Sequence, residues 1–288
     1  MNTKRFGFLP VLLCVLIFTS GICYANAQDK VSGSKWRVDS SGWAREKGDA
    51  KIRNLESVDE DGAPTRFLIE GEGEVEIDYP KRFLKTRGKR SKGDSDDTNT
   101  ITFYEIRVSP SLGKKDNVIE KIPTIDMGGA VMGLRIAGET EGARMAELVA
   151  WVGSKSNGKK RVEAAENWIR TGIYFDVSES GYISGHIPIV VRVDEISGIW
   201  DLYVFGNIVL ADLPYSKRSE NFLIESVAKE KTSVRGVRVT DKNPLFVDEN
   251  SDGIPDSFAE RHGGIKRSEI VEETGSSLLV EYMSRPRG

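Results

Sequence analysis

Asp248-Glu249-Asn250-Ser251-Asp252-Gly253-Ile254-Pro255-Asp256 follows the pattern D-x-N-x-D-G-x-x-D. Hard oxygen donors at alternate positions let a short stretch of backbone wrap round one cation, and this is the donor spacing of a calcium loop. Asp248, Asn250 and Asp252 supply side-chain oxygens, and Gly253 permits the sharp bend. Ile254 presents its backbone carbonyl, and Asp256 ligates directly or through water. The expected cofactor is a single Ca²⁺, bound with a dissociation constant on the order of 10⁻⁴–10⁻³ M, as in extracellular modules. The alternative is an Asx-rich turn that caps a helix without metal.

A second set of oxygens lies in the alternating run Phe67–Tyr79. Read as one strand, the run places Glu74, Glu76 and Asp78 on one face and Val75, Ile77 and Tyr79 on the other. Retaining glycosidases need an acid and a nucleophile on the same side of a cleft, roughly 5 Å apart. The order here is Glu-x-Glu-x-Asp, whereas jelly-roll glycosidases show Glu-x-Asp-x-Glu or Glu-x-Asp-x-x-Glu. The plainer reading is a solvated polar face with the odd-numbered residues packed inward. Only His186 and His262 are present, which leaves little material for a zinc site or a Ser-His-Asp triad. Tyr174, Tyr182, Tyr203 and Trp168 are candidates for stacking against a sugar, but the plainer reading of each is core or sheet surface.

The elements that must position these residues read as strands. His186–Tyr215 holds three apolar runs and two turns. Ile189, Val191 and Val193 alternate with Val190, Arg192 and Asp194, and Glu195–Gly198 turns the chain. In Ile199–Phe205, Trp200, Leu202 and Val204 share one face, with Asp201, Tyr203 and Phe205 on the other. Gly206-Asn207 is expected as a two-residue hairpin turn before Ile208–Leu213. Thr100–Val108 is a strong strand, and Val118–Ile122 a short one. Gly128–Ile136 and Ala146–Val152 form a pair joined through Gly138–Gly142. Val162–Arg170 is either helical or a loop leading to a strand with Trp168 buried. Ile173–Val177, Tyr182–Ile187, Asn221–Val227 and Ser233–Thr240 complete the set, and Gln28–Asn54 adds one or two short strands. Lys81–Lys92 is a basic surface loop. Short strands between turns rich in Gly, Ser and Asp indicate an all-β, two-layer antiparallel sandwich of jelly-roll type with a short α-helical C-terminal tail.

The segment Val190–Tyr215 (VVRVDEISGIWDLYVFGNIVLADLPY) resembles concanavalin-like or laminin-G-like jelly-roll domains of exported bacterial proteins, and ITFYEIRVSP is similar to an earlier strand of that family. The resemblance implies a sandwich that binds carbohydrate or another extracellular ligand, without implying an activity. The loop at Asp248–Asp256 resembles the EF-hand-like and thrombospondin-type-3-like loops that end many exported proteins, where DGIPD leads into an aromatic helix. Here Ser257–His262 is that helix, stopped by Gly263-Gly264. An EF-hand loop has a bidentate Glu at its twelfth position. That position is Ala259, and Glu260 comes one residue late, so water, Glu260 or a residue from elsewhere must complete the shell. Ser276–Ser284 resembles a second helix, paired with the first through Phe258, Leu278, Leu279 and Tyr282.

Composition sets the address. Lys4 and Arg5, an apolar run Phe6–Phe18 and Ala25-Asn26-Ala27 read as a signal peptide over residues 1–27, followed by the sandwich over 28–243 and the calcium loop and tail over 244–288. Cleavage near Ala27 gives an exported chain (periplasmic, cell-surface or extracellular) with no membrane span. Cys14 and Cys23 both lie in the peptide, so no disulfide is expected and the core or a metal must stabilise the fold. Without Lys4 and Arg5, the 41 basic residues become 39 against 44 acidic ones, and the formal charge moves from −3 to −5. Mild acidity disfavours nucleic acid as a partner and leaves a glycan or cell-surface component. The expected function is a non-catalytic carbohydrate-binding or adhesion module with one structural Ca²⁺. The alternatives are a glycan-degrading enzyme using Glu74, Glu76 and Asp78, or a structural envelope component.

Overall fold

The computed structural model describes residues 37–38, 44–58, 64–77, 101–114, 122–140, 143–152, 167–215 and 222–285. The expected signal peptide (1–27), Asp78, the basic loop (81–92), most of the short strand expected at 118–122 and residues 162–166 lie outside them. The described chain holds fifteen strands. They are β1 (Arg37–Val38), β2 (Ala44–Gly48), β3 (Lys51–Val58), β4 (Pro64–Glu70), β5 (Gly73–Ile77), β6 (Ile101–Ser109), β7 (Thr124–Met127) and β8 (Ala130–Thr140), then β9 (Ala143–Trp151), β10 (Trp168–Val177), β11 (Ile187–Asp194), β12 (Ile199–Val204), β13 (Asn207–Pro214), β14 (Phe222–Ser226) and β15 (Thr232–Thr240). Two short helices follow, α1 (Asp256–Arg261) and α2 (Leu278–Met283).

The strands form an eight-stranded sheet, β1-β2-β5-β14-β7-β8-β9-β10, and a seven-stranded sheet, β13-β12-β11-β6-β15-β4-β3. Neighbours within them are antiparallel. The main core takes Val75, Met132, Leu148 and Phe222 from the first sheet and Phe67, Ile106, Val191, Trp200 and Val234 from the second. The chain is therefore a two-layer β-sandwich, as its alternating pattern indicates.

Several local features differ from the sequence expectation. The run from Phe67 is not one strand. β4 ends at Glu70, and Gly71 (φ +88°) and Gly73 (φ +144°) turn the chain into β5, which lies in the other sheet. An added Cβ on Gly71 would sit 2.5 Å from the Asp49 carbonyl oxygen, so the turn requires glycine. The inward parity survives, with Phe67, Ile69, Val75 and Ile77 all in the core. The β12–β13 turn is Phe205-Gly206, not Gly206-Asn207. Both turn residues have positive φ (52° and 76°), the combination a tight hairpin needs to match strand twist. β7 adds a strand between β14 and β8 that Gly128–Ile136 alone did not reveal. Trp168 opens β10 and is buried, which settles the alternatives for that residue in favour of a strand.

The outer face of the seven-stranded sheet carries a second, smaller core. Phe103, Val190, Tyr203 and Ile208 point away from the sandwich interior. They are covered by Ile254, Phe258, Val271, Leu278, Leu279 and Tyr282 of the C-terminal segment. β12 is thus buried on both faces, with Trp200, Leu202 and Val204 inward and Tyr203 under the tail. α1 and α2 meet at a Phe258–Tyr282 edge contact, 5.2 Å between ring centroids, and Ser277 caps α2 by accepting from the Val280 N–H.

Candidate functional site

The loop Asp248–Asp256 folds as a ladder of Asx turns. Asp248 Oδ2 accepts from Gly253 N at 3.0 Å, Asn250 Oδ1 from Asp252 N at 3.1 Å, and Asp252 Oδ1 from Ile254 N at 2.9 Å. Asp256 accepts from Glu249 N through both oxygens. An oxygen that accepts one N–H keeps a second lone pair, so these bonds orient the donors without exhausting them. Ser251 (φ +56°) and Gly253 (φ +87°) take the left-handed backbone that the bend demands.

Asp248 is the buried carboxylate of the loop, 7% exposed. Its Oδ2 also accepts from Asn243 Nδ2 at 3.0 Å, while its Oδ1 is buried and has no hydrogen-bond partner. Burial raises the pKa of this carboxyl, and the hydrogen bonds from Asn243 and Gly253 only partly offset that effect. A buried carboxylate oxygen without a donor is costly unless a cation meets it. The donors are all oxygens, the chemistry of Ca²⁺ rather than Zn²⁺. Among the described residues no three carboxylate, imidazole or thiolate groups converge closely enough to hold a metal by themselves. Any ion here therefore needs the Asn250 amide oxygen, a backbone carbonyl and water in its shell. Glu260 is exposed on α1.

The loop is tied by its carbonyls to the sheet and to the rest of the C-terminal segment. Arg192 Nε on β11 donates to Ser251 O at 2.6 Å, Arg267 Nη1 to Asp252 O at 2.6 Å, and the Tyr203 hydroxyl on β12 to Gly253 O at 2.7 Å. Burial, with the Asp201 carboxylate next to it, pushes the Tyr203 phenol well above its usual range and keeps it a donor. Asp201, fully buried, receives both Arg267 nitrogens at 2.8 Å and Arg192 Nη1 at 3.3 Å. Arg267 also reaches Asp212 at 2.8 Å. Burial works against the Arg267 charge, but Asp201 and Asp212 outweigh it, and its pKa is raised. Nothing in the local pattern marks Arg192, Asp201 and Arg267 as one group; the only hint is two charged residues inside strongly apolar strands.

The other candidates are dispersed. Glu74 and Glu76 share the outer face of the eight-stranded sheet, where each is ion-paired across to β2. Glu74 meets Lys47 at 2.9 Å and Glu76 meets Arg45 at 2.6 Å. Of the aromatic candidates, Tyr203 and Trp168 are buried and Tyr182 is half-buried. Tyr174 alone is open, 44% exposed, with its hydroxyl 2.6 Å from Arg170 Nη2. Arg170 is in turn held by the fully buried Glu147 carboxylate at 2.8 Å.

No protein-family model matches the chain, and no curated protein does. Among solved structures it is similar to HCR/D-Sa-GBL1/C (11% identity, TM-score 0.32, covering 71% of this chain and 45% of that one). It is also similar to a sialidase (9%, TM-score 0.34, 82% and 20%) and to an alginate lyase from Alteromonas sp. 272 (9%, TM-score 0.30, 72% and 92%). The chain spans less than half the length of the first two. At these scores, ligand and activity must be read from the chain's own residues. Among the described residues no helix is long and apolar enough to cross a membrane.

Proposed function

We propose that this chain is an exported, non-catalytic β-sandwich module that binds a glycan or another cell-surface component. In this reading one Ca²⁺ ion, held by Asp248, Asn250, Asp252, the Ile254 carbonyl and Asp256, fixes the C-terminal segment to the seven-stranded sheet. The observation that carries the metal reading is the unpartnered, buried Oδ1 of Asp248 at the head of an Asx-turn ladder. The glycan reading is supported by the family resemblance of Val190–Tyr215 and by the open Tyr174 ring beside Arg170. Against a glycosidase, Glu74 and Glu76 are each neutralised by a cation on β2.

The test is a thermal melt with Ca²⁺ and with chelator, on the protein and on Asp252→Ala. A ligand at a hundredfold excess over its Kd stabilises by about 2.7 kcal/mol. For a domain of this size that is roughly 5–11 °C in Tm, and the variant should lose the rise. Identical melts with and without Ca²⁺ would refute the metal. A glycan screen in Ca²⁺ then tests the ligand class, and failure to bind any saccharide would refute the glycan and leave another cell-surface component as the ligand.

A further inference from the structure

Arg66, Arg235 and Arg107 stand in one row across the neighbouring strands β4, β15 and β6, with Arg235 the cross-strand partner of both others. All three are exposed. Their chain neighbours Phe67, Val234, Ile106 and Val108 lie in the main core. The arginines therefore project from the outer face of the seven-stranded sheet, on the side opposite the sandwich interior. Four residues along β6, about 13 Å away, Phe103 lies beneath the C-terminal segment. The row stands on a part of this face outside the cluster that α1 and α2 cover.

Adjacent strands are about 4.8 Å apart, and like charges directly opposite one another destabilise a sheet. Arg107 and Arg235 have neither an ion pair nor a hydrogen bond from their side chains to any described residue. Arg66, which has a partner of its own, lengthens the row without being needed. Gly236 (φ +59°) sits in the bulge after Arg235, and a Cβ there would come within 3.9 Å of Arg107 Cγ and Cδ, so the Arg107 stem lies along bare backbone. One row on, Arg238 faces Glu105, the nearest carboxylate in the register. His186, bonded to Ser233 Oγ at 2.9 Å, has its pKa lowered by burial and then by Arg235, Arg66 and Arg107, which reports the positive potential of the row. Repelling cations held side by side, with open planar donors, are suited to closely spaced anionic groups.

We infer that Arg107 and Arg235, extended by Arg66, bind an acidic polysaccharide through its carboxylate or sulfate groups. This rests on the glycan-binding reading above and names its ligand class and its place. A nucleic acid is the less suited polyanion, because the exposed aromatic rings among the described residues, Tyr174 and Phe205, stand on β10 and in the β12–β13 turn, so β4, β15 and β6 offer bases no stacking platform beside the row.

The experiment titrates the purified protein, in Ca²⁺, with a short oligoglucuronate, a sulfated oligosaccharide, a neutral oligosaccharide of the same length and single-stranded DNA. The two acidic saccharides should bind and the neutral one should not. Arg107→Gln/Arg235→Gln should weaken acidic binding at least about tenfold, while the Tm holds or rises as repulsion is relieved. Raising the salt should weaken the wild-type protein more than the variant. Acidic binding that the double substitution leaves unchanged overturns the site but spares the module reading. Binding of neutral saccharides alone overturns the ligand class. DNA bound as tightly through the same arginines overturns the polysaccharide as occupant, and no saccharide bound at all overturns both this inference and the glycan reading on which it rests.

Discussion

Asp201→Asn is the most informative single change in this molecule. Asp201 is fully buried and compensates two guanidiniums, Arg267 at 2.8 Å twice and Arg192 at 3.3 Å, whose side chains are 12% and 4% exposed. Asparagine keeps the shape, removes the charge and turns an amide donor toward arginines that can only donate. Breaking a buried ion pair by removing one partner costs about 3–5 kcal/mol, because the remaining charge is left without compensation. Arg267 keeps Asp212 and the Asp252 carbonyl, and Arg192 keeps the Ser251 carbonyl and Asp194 at 3.5 Å, so the lower end applies. A loss of about 3 kcal/mol corresponds to roughly 6–12 °C in Tm for a domain of this size. Urea and thermal melts measure it, with limited proteolysis reporting whether the chain after Thr240 is released. Asp212→Asn is the control. Its side chain is 50% exposed, and the change should cost less than about 1 kcal/mol. A loss below about 1 kcal/mol for Asp201→Asn, or equal losses for both variants, would refute the account of the network as the tether of the loop.

Three further outcomes are expected. Asp248→Asn should remove Ca²⁺-dependent stabilisation. In chelator it should be more stable than the wild type above the ordinary carboxylate range, because burial raises the folded-state pKa of Asp248. The folded protein then holds its proton more tightly than the unfolded chain, so wild-type stability falls as pH rises through that raised value. Melts from pH 3 to 8 check the sign, and a wild type that gains stability from Asp248 ionisation without metal would contradict it. Gly253→Ala forces φ +87° on a residue with a Cβ and drives that Cβ into the Tyr203 hydroxyl. It should cost about 1–3 kcal/mol together with the Ca²⁺ response, as measured by calorimetry. Glu74→Gln and Glu76→Gln should each change stability by no more than about 1 kcal/mol, since both ion pairs are partly exposed. Neither should abolish turnover of any polysaccharide the protein is found to cleave; a loss of turnover would restore the glycosidase reading.

Most of the sandwich is legible in its alternation. Ile189, Val191 and Val193, then Trp200, Leu202 and Val204, carry the inward face of β11 and β12 in the expected order. Alternation does not say which sheet a strand joins. The parity of Phe67, Ile69, Val75 and Ile77 is uninterrupted while the chain crosses from one sheet to the other at Gly71. It also does not say how many faces are covered. Tyr203 and Val190 sit at positions that read as solvent-facing, and they are buried because the tail returns over them. The Asx turns at Asn250 and Asp252 were readable because they are local chemistry, set by residues two apart. The Asp201–Arg267 pairing spans 66 residues, and the row of Arg66, Arg235 and Arg107 spans three strands distant in sequence. Only register brings such groups together.

The division of the seven-stranded sheet's outer face follows from that register. At one end of β6, Phe103 and its neighbours Val190, Tyr203 and Ile208 form an apolar surface that needs a cover. At the other end Arg107 and its cross-strand arginine need anions. The cover cannot be held by a disulfide, because the chain's two cysteines are Cys14 and Cys23 and the segment after Thr240 has none. Its helices are six residues each, under two turns and too short to be stable alone. What remains to hold it is the aromatic cluster of Tyr203, Phe246, Phe258 and Tyr282, the capture of the Ser251 and Gly253 carbonyls by Arg192 and Tyr203 of the sheet, and Arg267, which joins the Asp252 carbonyl within the segment to Asp201 on β12. Those three carbonyls belong to the bend that the Asx ladder shapes. A cation on Asp248 would stiffen the element the sheet grips, so metal affinity and docking of the tail are coupled through Ser251, Asp252 and Gly253, and each should strengthen the other.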